Sequence, residues 1–390
     1  MKKDITTMLG MEDIIVKKVE EATGNLHIHI ELPRKAHTCP CCGQLTDAVH
    51  DYREQIVKDI PLGRTTYLHL RKRRYRCTHC GKRFAEQNPF LPRYYRMTSR
   101  LIARIIHEFK HLKSATAIAK ENNISVTTTI RYFDCVEYRC PKLPRVLSID
   151  EFKGNAGGEK YQSILTDAEN KRILDILPNR YEGALIQYFK AFPSRFNVEF
   201  FITDMNPHFR NVAKACFPNA KIIADRFHVS RQASWAMERV RKNEQKKLSD
   251  KFRRYFKRSK YLLNKKTESL TEEELHSLSL IFEISPRLAD AYRFKNELYT
   301  AMKSHSSAEG KVRLTEWMRA VSLMDLPEFD DCSKAVRNWF TEILNSFDCP
   351  YTNGYTEGCN NKTKVLKRIS FGVRNFDRFR NRILFCAARP

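Results

Sequence analysis

Three carboxylates stand at positions from which a folded chain can gather them around a cation. The apolar run Val146-Leu147-Ser148-Ile149 ends at Asp150-Glu151, and the run Val198-Glu199-Phe200-Phe201-Ile202-Thr203 ends at Asp204. Far downstream, Thr352-Asn353-Gly354-Tyr355-Thr356 leads into Glu357 at the start of a helical stretch. Two strand-end aspartates and one helical glutamate offer hard oxygen ligands, which suit hard divalent cations. A softer set lies nearer the N-terminus. Cys39-Pro40-Cys41-Cys42-Gly43 and Cys77-Thr78-His79-Cys80-Gly81 are paired C-x-x-C knuckles, and four thiolates from two tight turns suit one structural Zn²⁺. The spacing selects Cys39 with Cys42 and Cys77 with Cys80, leaving Cys41 and His79 as spares. A redox C-x-x-C does not explain two pairs, and the surrounding glycines and charges argue against a cysteine core.

Several elements must position these ligands. Residues 12–32 read as a hairpin through Ala22-Thr23-Gly24-Asn25, with Leu26, Ile28, Ile30 and Leu32 alternating with His27, His29 and Glu31. His27 and His29 point the same way and could chelate a metal, but on an alternating strand they read as a solvated face. The gap 43–76 exceeds that of a compact finger, so a pair of strands must fold between the knuckles. It ends in Arg71-Lys72-Arg73-Arg74-Tyr75-Arg76, five positive residues with no acid beside them in the run, which predicts phosphate contact.

From Thr98 the apolar period becomes helical. Thr98 or Ser99, Ser114 and Ser125 can each cap a helix. Leu101, Ile102, Ile105, Ile106 and Phe109 face inward on the first, and Glu121-Asn122-Asn123-Ile124-Ser125 turns into the third. This pattern predicts a helix-turn-helix, with Asn123 where glycine is usual and Arg131 on the recognition helix; a plain three-helix module is the alternative. Cys140-Pro141-Lys142-Leu143-Pro144 then makes a linker.

The following order is strand, strand (161–167), strand (172–177), helix (182–192), the Asp204 strand, helix (207–216) and strand (220–225). This βββαβαβ succession is that of an RNase H-like fold, so the expected class is α/β. Arg239 to Lys266 carries thirteen Lys or Arg in 28 positions. Phe252, Tyr255 and Phe256 are spaced as a buried stripe, and Arg253, Arg254, Lys257 and Arg258 as a DNA track. Helical sequence continues to about residue 346 as an insertion, before the helix of Glu357 with Lys364, Lys367 and Arg368. The expected domains are a zinc-binding β module (1–92), a helix-turn-helix (93–144) and an RNase H-like domain (145–390) with its insertion at about 230–346.

Composition points to the same partner. With 70 Lys and Arg against 45 Asp and Glu, the formal charge is +25 and the pI about 9.6. Such a balance favours nucleic acid as the partner over a merely soluble basic protein, and the helix-turn-helix points to double-stranded DNA. Twelve cysteines, uneven in a long chain, indicate a reducing compartment. Met1-Lys2-Lys3-Asp4-Ile5 opens no signal-peptide core, and no run reaches the roughly 18 apolar residues of a membrane span. A cytoplasmic, nucleoid-associated protein is expected.

Taken together, these blocks resemble the insertion-sequence transposases with an Asp-Asp-Glu triad, specifically the ISL-three family, over nearly the whole chain. The matching residues are the two cysteine knuckles, the helical segment 98–138, Ile149-Asp150-Glu151-Phe152, Thr203-Asp204-Met205, Asp225-Arg226-Phe227-His228-Val229 and Thr352-Asn353-Gly354-Tyr355-Thr356-Glu357-Gly358. The resemblance implies that Asp150, Asp204 and Glu357 ligate two Mg²⁺, replaceable by Mn²⁺. It also implies terminal inverted repeats and target DNA as substrates, 3′-end cleavage followed by strand transfer, and action as a homo-oligomer. Neighbours on a strand face opposite ways, so Asp150 rather than Glu151 should enter the site. Asp225 and His228 are candidates to support the ligands or touch DNA, with plain structural capping the alternative. Two other classes remain: a DNA-binding regulator without catalysis, for which keeping three carboxylates has no purpose, and a nuclease or resolvase that cuts without joining.

Overall fold

Alternating side chains decide the N-terminal sheet. In the computed structural model, which describes residues 9–11, 13–140 and 142–388, strands β1 (Ile15–Ala22) and β2 (Asn25–Glu31) form the expected hairpin. The expectations for Met1–Ile5 and Pro141 lie outside the described residues. Two short strands, β3 (His37–Thr38) and β4 (Leu45–Thr46), flank the first knuckle. β5 (Val49–Asp59) and β6 (Thr66–Arg76) are the strand pair between the knuckles, and β7 (Arg83–Ala85) pairs with β6. The sheet order is β1-β2-β6-β5, with β2 and β6 parallel. Ile28, Ile30, Val57, Leu68 and Leu70 bury one face of it.

The same alternation corrects the basic run. Arg73 is buried, donates to Leu32 O at 2.6 Å and pairs with Glu86 and Glu31, so it is not offered to phosphate. Lys72 donates to Gln55 Oε1 at 2.5 Å, and Arg74 pairs with Asp51 at 2.9 Å. Arg71 lies over the Tyr52 ring at 3.9 Å and stays largely exposed. Acids from neighbouring strands, invisible in a local sequence window, balance most of the charge.

Helices α1 (Ser99–Glu108), α2 (Ala115–Glu121) and α3 (Val126–Phe133) are capped by Thr98, Ser114 and Ser125, whose side chains accept from the amides of Leu101, Ala117 and Thr128. Each such cap contributes about 1 kcal/mol. Asn123 has φ +51°, the left-handed turn for which glycine is usual. Leu101, Ile105, Phe109, Ile118 and Phe133 form the three-helix core. Truncating the fully buried Phe133 to Ala should cost about 3–5 kcal/mol.

The second sheet has the order β10-β9-β8-β11-β12. β9 (Gln162–Asp167) pairs antiparallel with both β8 (Val146–Phe152) and β10 (Arg172–Leu177), whereas β11 (Phe200–Thr203) and β12 (Lys221–Ala224) continue parallel to β8. Helices α4 (Glu182–Lys190) and α5 (Pro207–Cys216) pack on it through Leu185, Phe189, Phe209 and Val212. The chain is thus mixed α/β.

After β12 comes a helical body of α6 (Arg226–Lys246), α7 (Asp250–Arg258), α8 (Lys260–Asn264), α9 (Glu272–Ile284), α10 (Pro286–Ala301), α11 (Ser307–Ser322), α12 (Asp330–Asn338) and α13 (Phe340–Phe347). Its core includes Met237, Phe256, Phe294, Trp317, Phe329 and Trp339. The stripe expected on α7 is narrower than its spacing suggests: Phe256 is fully buried, but Phe252 and Tyr255 are exposed. A nine-residue helix with one buried aromatic lies on the surface of this body rather than within it.

α14 (Gly354–Ile369) and α15 (Phe376–Ala387) close the chain. Two units result. One holds the described residues to Tyr138 with Leu366–Gly372 and Asn381–Cys386; the other holds Arg139–Val365 and Val373–Arg380 with the described residues after Cys386. Within the first unit, Arg382 donates to His111 O and Lys113 O at 2.8 Å each, tying the last helix to the three-helix core. No helix among the described residues is long and apolar enough to cross a membrane.

Candidate active site and metal centres

The parallel strands bring three aspartates to one sheet edge. Ser148 is level with Ile202, and Thr203 with Ala224. Extending that register by one or two residues sets Asp150, inside β8 and two residues before its end, abreast of Asp204 and Asp225, which directly follow β11 and β12, toward the side where open α/β sheets place their sites.

α14 is pinned across these strands by one polar face. Asn353 accepts from Ser148 Oγ, Thr356 shares hydrogen bonds with Thr166 (2.7 Å) and Ser148 (3.1 Å), and Asn360 Nδ2 donates to Asp150 Oδ2 at 2.8 Å. Glu357, beside Thr356, then comes near the aspartates: its charge acts on both Asp150 and Asp225.

The electrostatics record a crowd of like charge in a dry place. Burial, then Asp204, Glu357 and Asp225, push Asp150 up to about 7 against the opposing pull of the Glu151 amide. Asp204 rises to about 6 through burial and then the charge of Glu151. Asp225 also rises to about 6, through burial and then Glu357 and Asp204, against the Phe227 amide. Its Oδ2 is buried without a hydrogen-bond partner. Carboxylates that cannot all ionise, one with an orphaned oxygen, fit a divalent cation that supplies the missing positive charge.

Glu151 is placed differently from Asp150. Its Oε2 lies 2.5 Å from Arg180 Nη1, and its side chain is partly exposed, although it remains close enough to act on Asp204. Alternation separates the two neighbours by partner rather than removing Glu151 from the region. Asp167 and Asp175 are buried and engaged elsewhere, with Arg172 and with Arg380 and Tyr188.

His228 Nε2 lies 3.8 Å from Asp225 and 3.7 Å from Glu357, and ligand atoms of these three residues fall within 4.8 Å of one another. Asp150 and Asp204 belong to no such tight group among the described residues. His228 Nδ1, however, is 2.8 Å from Arg231 Nη2. A guanidinium only donates, so Nδ1 must accept and the neutral ring keeps its proton on Nε2. Burial and that arginine drive His228 down to about 4, leaving a neutral donor aimed at Asp225 and Glu357 rather than a metal-ligating lone pair.

Sequence reasoning missed Asn360, Arg180 and Arg231. Asn360 follows Glu357 at i+3 and Arg231 follows His228 at i+3, spacings that place each pair on one helical face. Arg180, on the loop after β10, has no local signal.

At the other centre the four cysteines of the knuckles come together. Cys39 Sγ is 3.6 Å from Cys80 Sγ, and Cys42 Sγ 3.5 Å from Cys77 Sγ. Tetrahedral Zn–S bonds near 2.3 Å place sulfurs roughly 3.8 Å apart, so the set fits the ion. The knuckles match in backbone too. Gly43 (φ +74°) and Gly81 (φ +75°) donate to Cys39 O and Cys77 O at 3.0 Å, in a left-handed turn open to glycine. The Cys80 and His79 amides help pull the Cys77 thiol down to about 6. Cys80 is driven up to about 12: the Lys82 amide opposes the rise, but burial and the other three sulfurs outweigh it. Four thiols that cannot ionise together call for a cation.

The cationic candidates divide by exposure. Arg131, Arg253, Arg254, Lys257, Arg258, Lys364 and Arg368 are exposed, Lys367 is half-buried, and Arg73 is excluded by its ion pairs.

Comparison with known proteins assigns a family to each region of the chain. Residues 147–383 match the transposase domain of the Asp-Asp-Glu type from family ISL3. Residues 35–80 match the zinc finger of the IS204/IS1001/IS1096/IS1165 transposases, and residues 86–134 the helix-turn-helix domain of transposase family ISL3. The class is therefore that of DNA transposases of the Asp-Asp-Glu type. Within it, the chain belongs to the ISL3 family. It is 24% identical to the transposase for insertion sequence element IS1001 of Bordetella parapertussis, over 97% of this chain and 96% of that one. It is 25% identical to the transposase for insertion sequence element IS1557 of Mycobacterium tuberculosis, over 59% of this chain and 57% of that one. The zinc-finger match and the four gathered sulfurs together support a structural Zn²⁺.

Proposed function

We propose that this transposase binds the terminal inverted repeats of an insertion sequence and catalyses Mg²⁺-dependent 3′-end cleavage and strand transfer, from a catalytic domain of RNase H-like fold. The observation that carries this is the register that aligns Asp150, Asp204 and Asp225 along one sheet edge, with Glu357 brought to it by α14. Asp150, Asp204 and Glu357 would hold the cation pair, and Asp225, with its orphaned oxygen, is a fourth candidate. Bound there, Mg²⁺ would supply Lewis-acid stabilisation of charge on the reacting phosphate and activate the attacking water in cleavage or the 3′-hydroxyl in strand transfer.

The chain's own residues set the conditions for that chemistry. Asn360 fixes one oxygen of Asp150 by donating to it, and the Glu151 amide holds the other at 2.7 Å. His228, neutral and held by Arg231, presents its Nε2–H toward Glu357 and Asp225 without adding positive charge that would compete with a metal. Arg180 draws the carboxylate of Glu151 to itself. Burial keeps the cluster dry, which strengthens each of these interactions.

DNA reading is assigned to the helix-turn-helix, with Arg131 among its base contacts. Arg253, Arg254, Lys257 and Arg258 on α7 supply a sequence-independent term, joined by Arg71, Lys364, Lys367 and Arg368. Replacing the four α7 cations by Gln should weaken binding to all DNAs alike and flatten the dependence of log K on log salt by roughly 3 to 4 in slope. Loss of sequence preference at unchanged slope would contradict that division of labour. Arg131→Ala should instead cost specific binding about 1 kcal/mol or more and barely alter nonspecific affinity. The protein acts on DNA as a homo-oligomer, in the cytoplasm at the nucleoid.

The activity itself is tested by incubating the full chain with duplex element ends and Mg²⁺. Nicks that leave a free 3′-hydroxyl, followed by joined products, are expected. Cleavage without joining would reassign the protein as a nuclease, and the absence of cleavage would leave a binding regulator.

A further inference from the structure

The solvent-facing side of the N-terminal sheet carries a cluster of ligating side chains that neither the four cysteines nor the carboxylate edge uses. β2 contributes His27 and His29. β6 runs parallel beside it, with His27 level with Tyr67 and His29 level with His69. β5 adds Glu54 and β1 adds Glu20. All five side chains lie opposite the apolar face of Ile28, Ile30, Leu68 and Leu70.

Ligand atoms of His29, His69 and Glu54 fall within 4.8 Å of one another. His69 Nδ1 is 2.7 Å from Glu54 Oε1, and His29 Nδ1 is 3.9 Å from the same oxygen. The two imidazoles stack with centroids 4.4 Å apart. Their outer nitrogens are engaged as well: His29 Nε2 lies 2.9 Å from Glu20 Oε1, and His69 Nε2 lies 2.9 Å from His27 Nδ1.

Histidines that bind metals usually donate their second ring N–H to a carboxylate or another acceptor, which fixes the tautomer and turns the free lone pair toward the ion. Both histidines here have that second partner. With protons on the two Nε2 atoms, donated to Glu20 and to His27, both Nδ1 lone pairs converge on the Glu54 carboxylate. Lone pairs facing a carboxylate repel one another unless a cation lies among them. Protons alone can satisfy part of the cluster, with His27 donating to His69 and His69 to Glu54. That chain leaves His29 Nδ1 at 3.9 Å from Glu54, beyond hydrogen-bond reach.

We propose that His29, His69 and Glu54 form a second site for a borderline divalent transition cation such as Zn²⁺, with Glu20 and His27 orienting the two imidazoles. Two imidazoles and a carboxylate suit such ions. Among the described residues three protein ligands are offered, and Glu54 is half exposed, with 55% of its side chain accessible. The ion should therefore exchange more readily than one held by four thiolates.

The test is equilibrium dialysis of the full chain against Zn²⁺ with Mg²⁺ in excess, comparing the wild type with His69→Gln and His29→Gln. Both substitutions lie away from the apolar core, and circular dichroism without added Zn²⁺ checks the fold. The wild type should take up one more equivalent than either variant. Co²⁺ in that extra site should give visible ligand-field bands without the near-ultraviolet thiolate charge transfer of the four-cysteine site. Glu20→Gln should keep the equivalent but weaken it by about 10- to 100-fold. Equal uptake by all the chains overturns the proposal. If equal uptake comes with lower melting midpoints in the variants, the cluster is a proton-bonded network.

Discussion

Asp150→Asn, Asp204→Asn and Glu357→Gln should each lower 3′-end cleavage and strand transfer by at least about 10³-fold while leaving binding to element ends within about twofold. Each amide nearly preserves the volume of the acid but removes a negative charge from a site that is already dry. In Asp150→Asn the amide also meets the Asn360 Nδ2 and Glu151 amide donors, so it can accept only through its single oxygen. Cleavage and joining should fall together, because both develop charge at the same phosphate. Partial recovery with Mn²⁺ is expected where a ligand is weakened rather than lost. Glu151→Gln is the control: its carboxylate is held by Arg180, so the loss should be far smaller. If Glu151→Gln is dead while Asp150→Asn cuts normally, the strand presents its other face to DNA. Gel-resolved kinetics on end-labelled duplexes measures both losses in one experiment.

Cys77→Ser should remove the tightly held Zn²⁺ of the four-cysteine site and unfold the knuckles. Structural zinc in small modules is worth about 10–16 kcal/mol at neutral pH, far more than the packing of a two-knuckle region can replace. The Cys77 thiol is drawn down to about 6 and the Cys39 thiol is lowered too, so each knuckle offers a thiolate to a first-bound ion. The long β5–β6 hairpin should persist more than the knuckles, because Leu68, Leu70 and Val57 anchor it in the sheet core. Metal analysis and limited proteolysis between residues 35 and 85 check this. Full zinc content in the purified variant would show that the ion lies elsewhere.

What was legible in the sequence had local, periodic causes. The three helix caps, the alternation of β2 and the aspartates closing β11 and β12 each follow from side chains within a few residues, and the structure places each beside its element as expected; β8, by contrast, runs on through Phe152, so Asp150 lies within it rather than at its end. Asp225 carried the same signal as Asp150 and Asp204, an apolar run closed by aspartate; only the parallel register across β8, β11 and β12 ranks it alongside them. Misread features depended on distant partners. The run 71–76 looked uncompensated because Glu31, Asp51 and Glu86 reach it from other strands. Phe252 and Tyr255 had helical spacing, but burial depends on what lies opposite, and a one-turn contact at Phe256 suffices to seat α7. His27 and His29 do lie on the solvent-facing side, as read; what the sequence did not show is His69, forty residues beyond His29, which only the parallel pairing of β2 with β6 brings level.

The ligand assignment itself is tested most directly by Fe²⁺-directed cleavage of the polypeptide. Iron bound in place of Mg²⁺ generates radicals that cut the backbone beside its ligands, and mass spectrometry locates the cuts without reference to activity on DNA. Breaks next to residues 150, 204 and 357, suppressed by added Mg²⁺ and absent in Asp150→Asn, are the predicted result. Mg²⁺-sensitive breaks confined to other segments, with none at these three positions, would contradict the assignment.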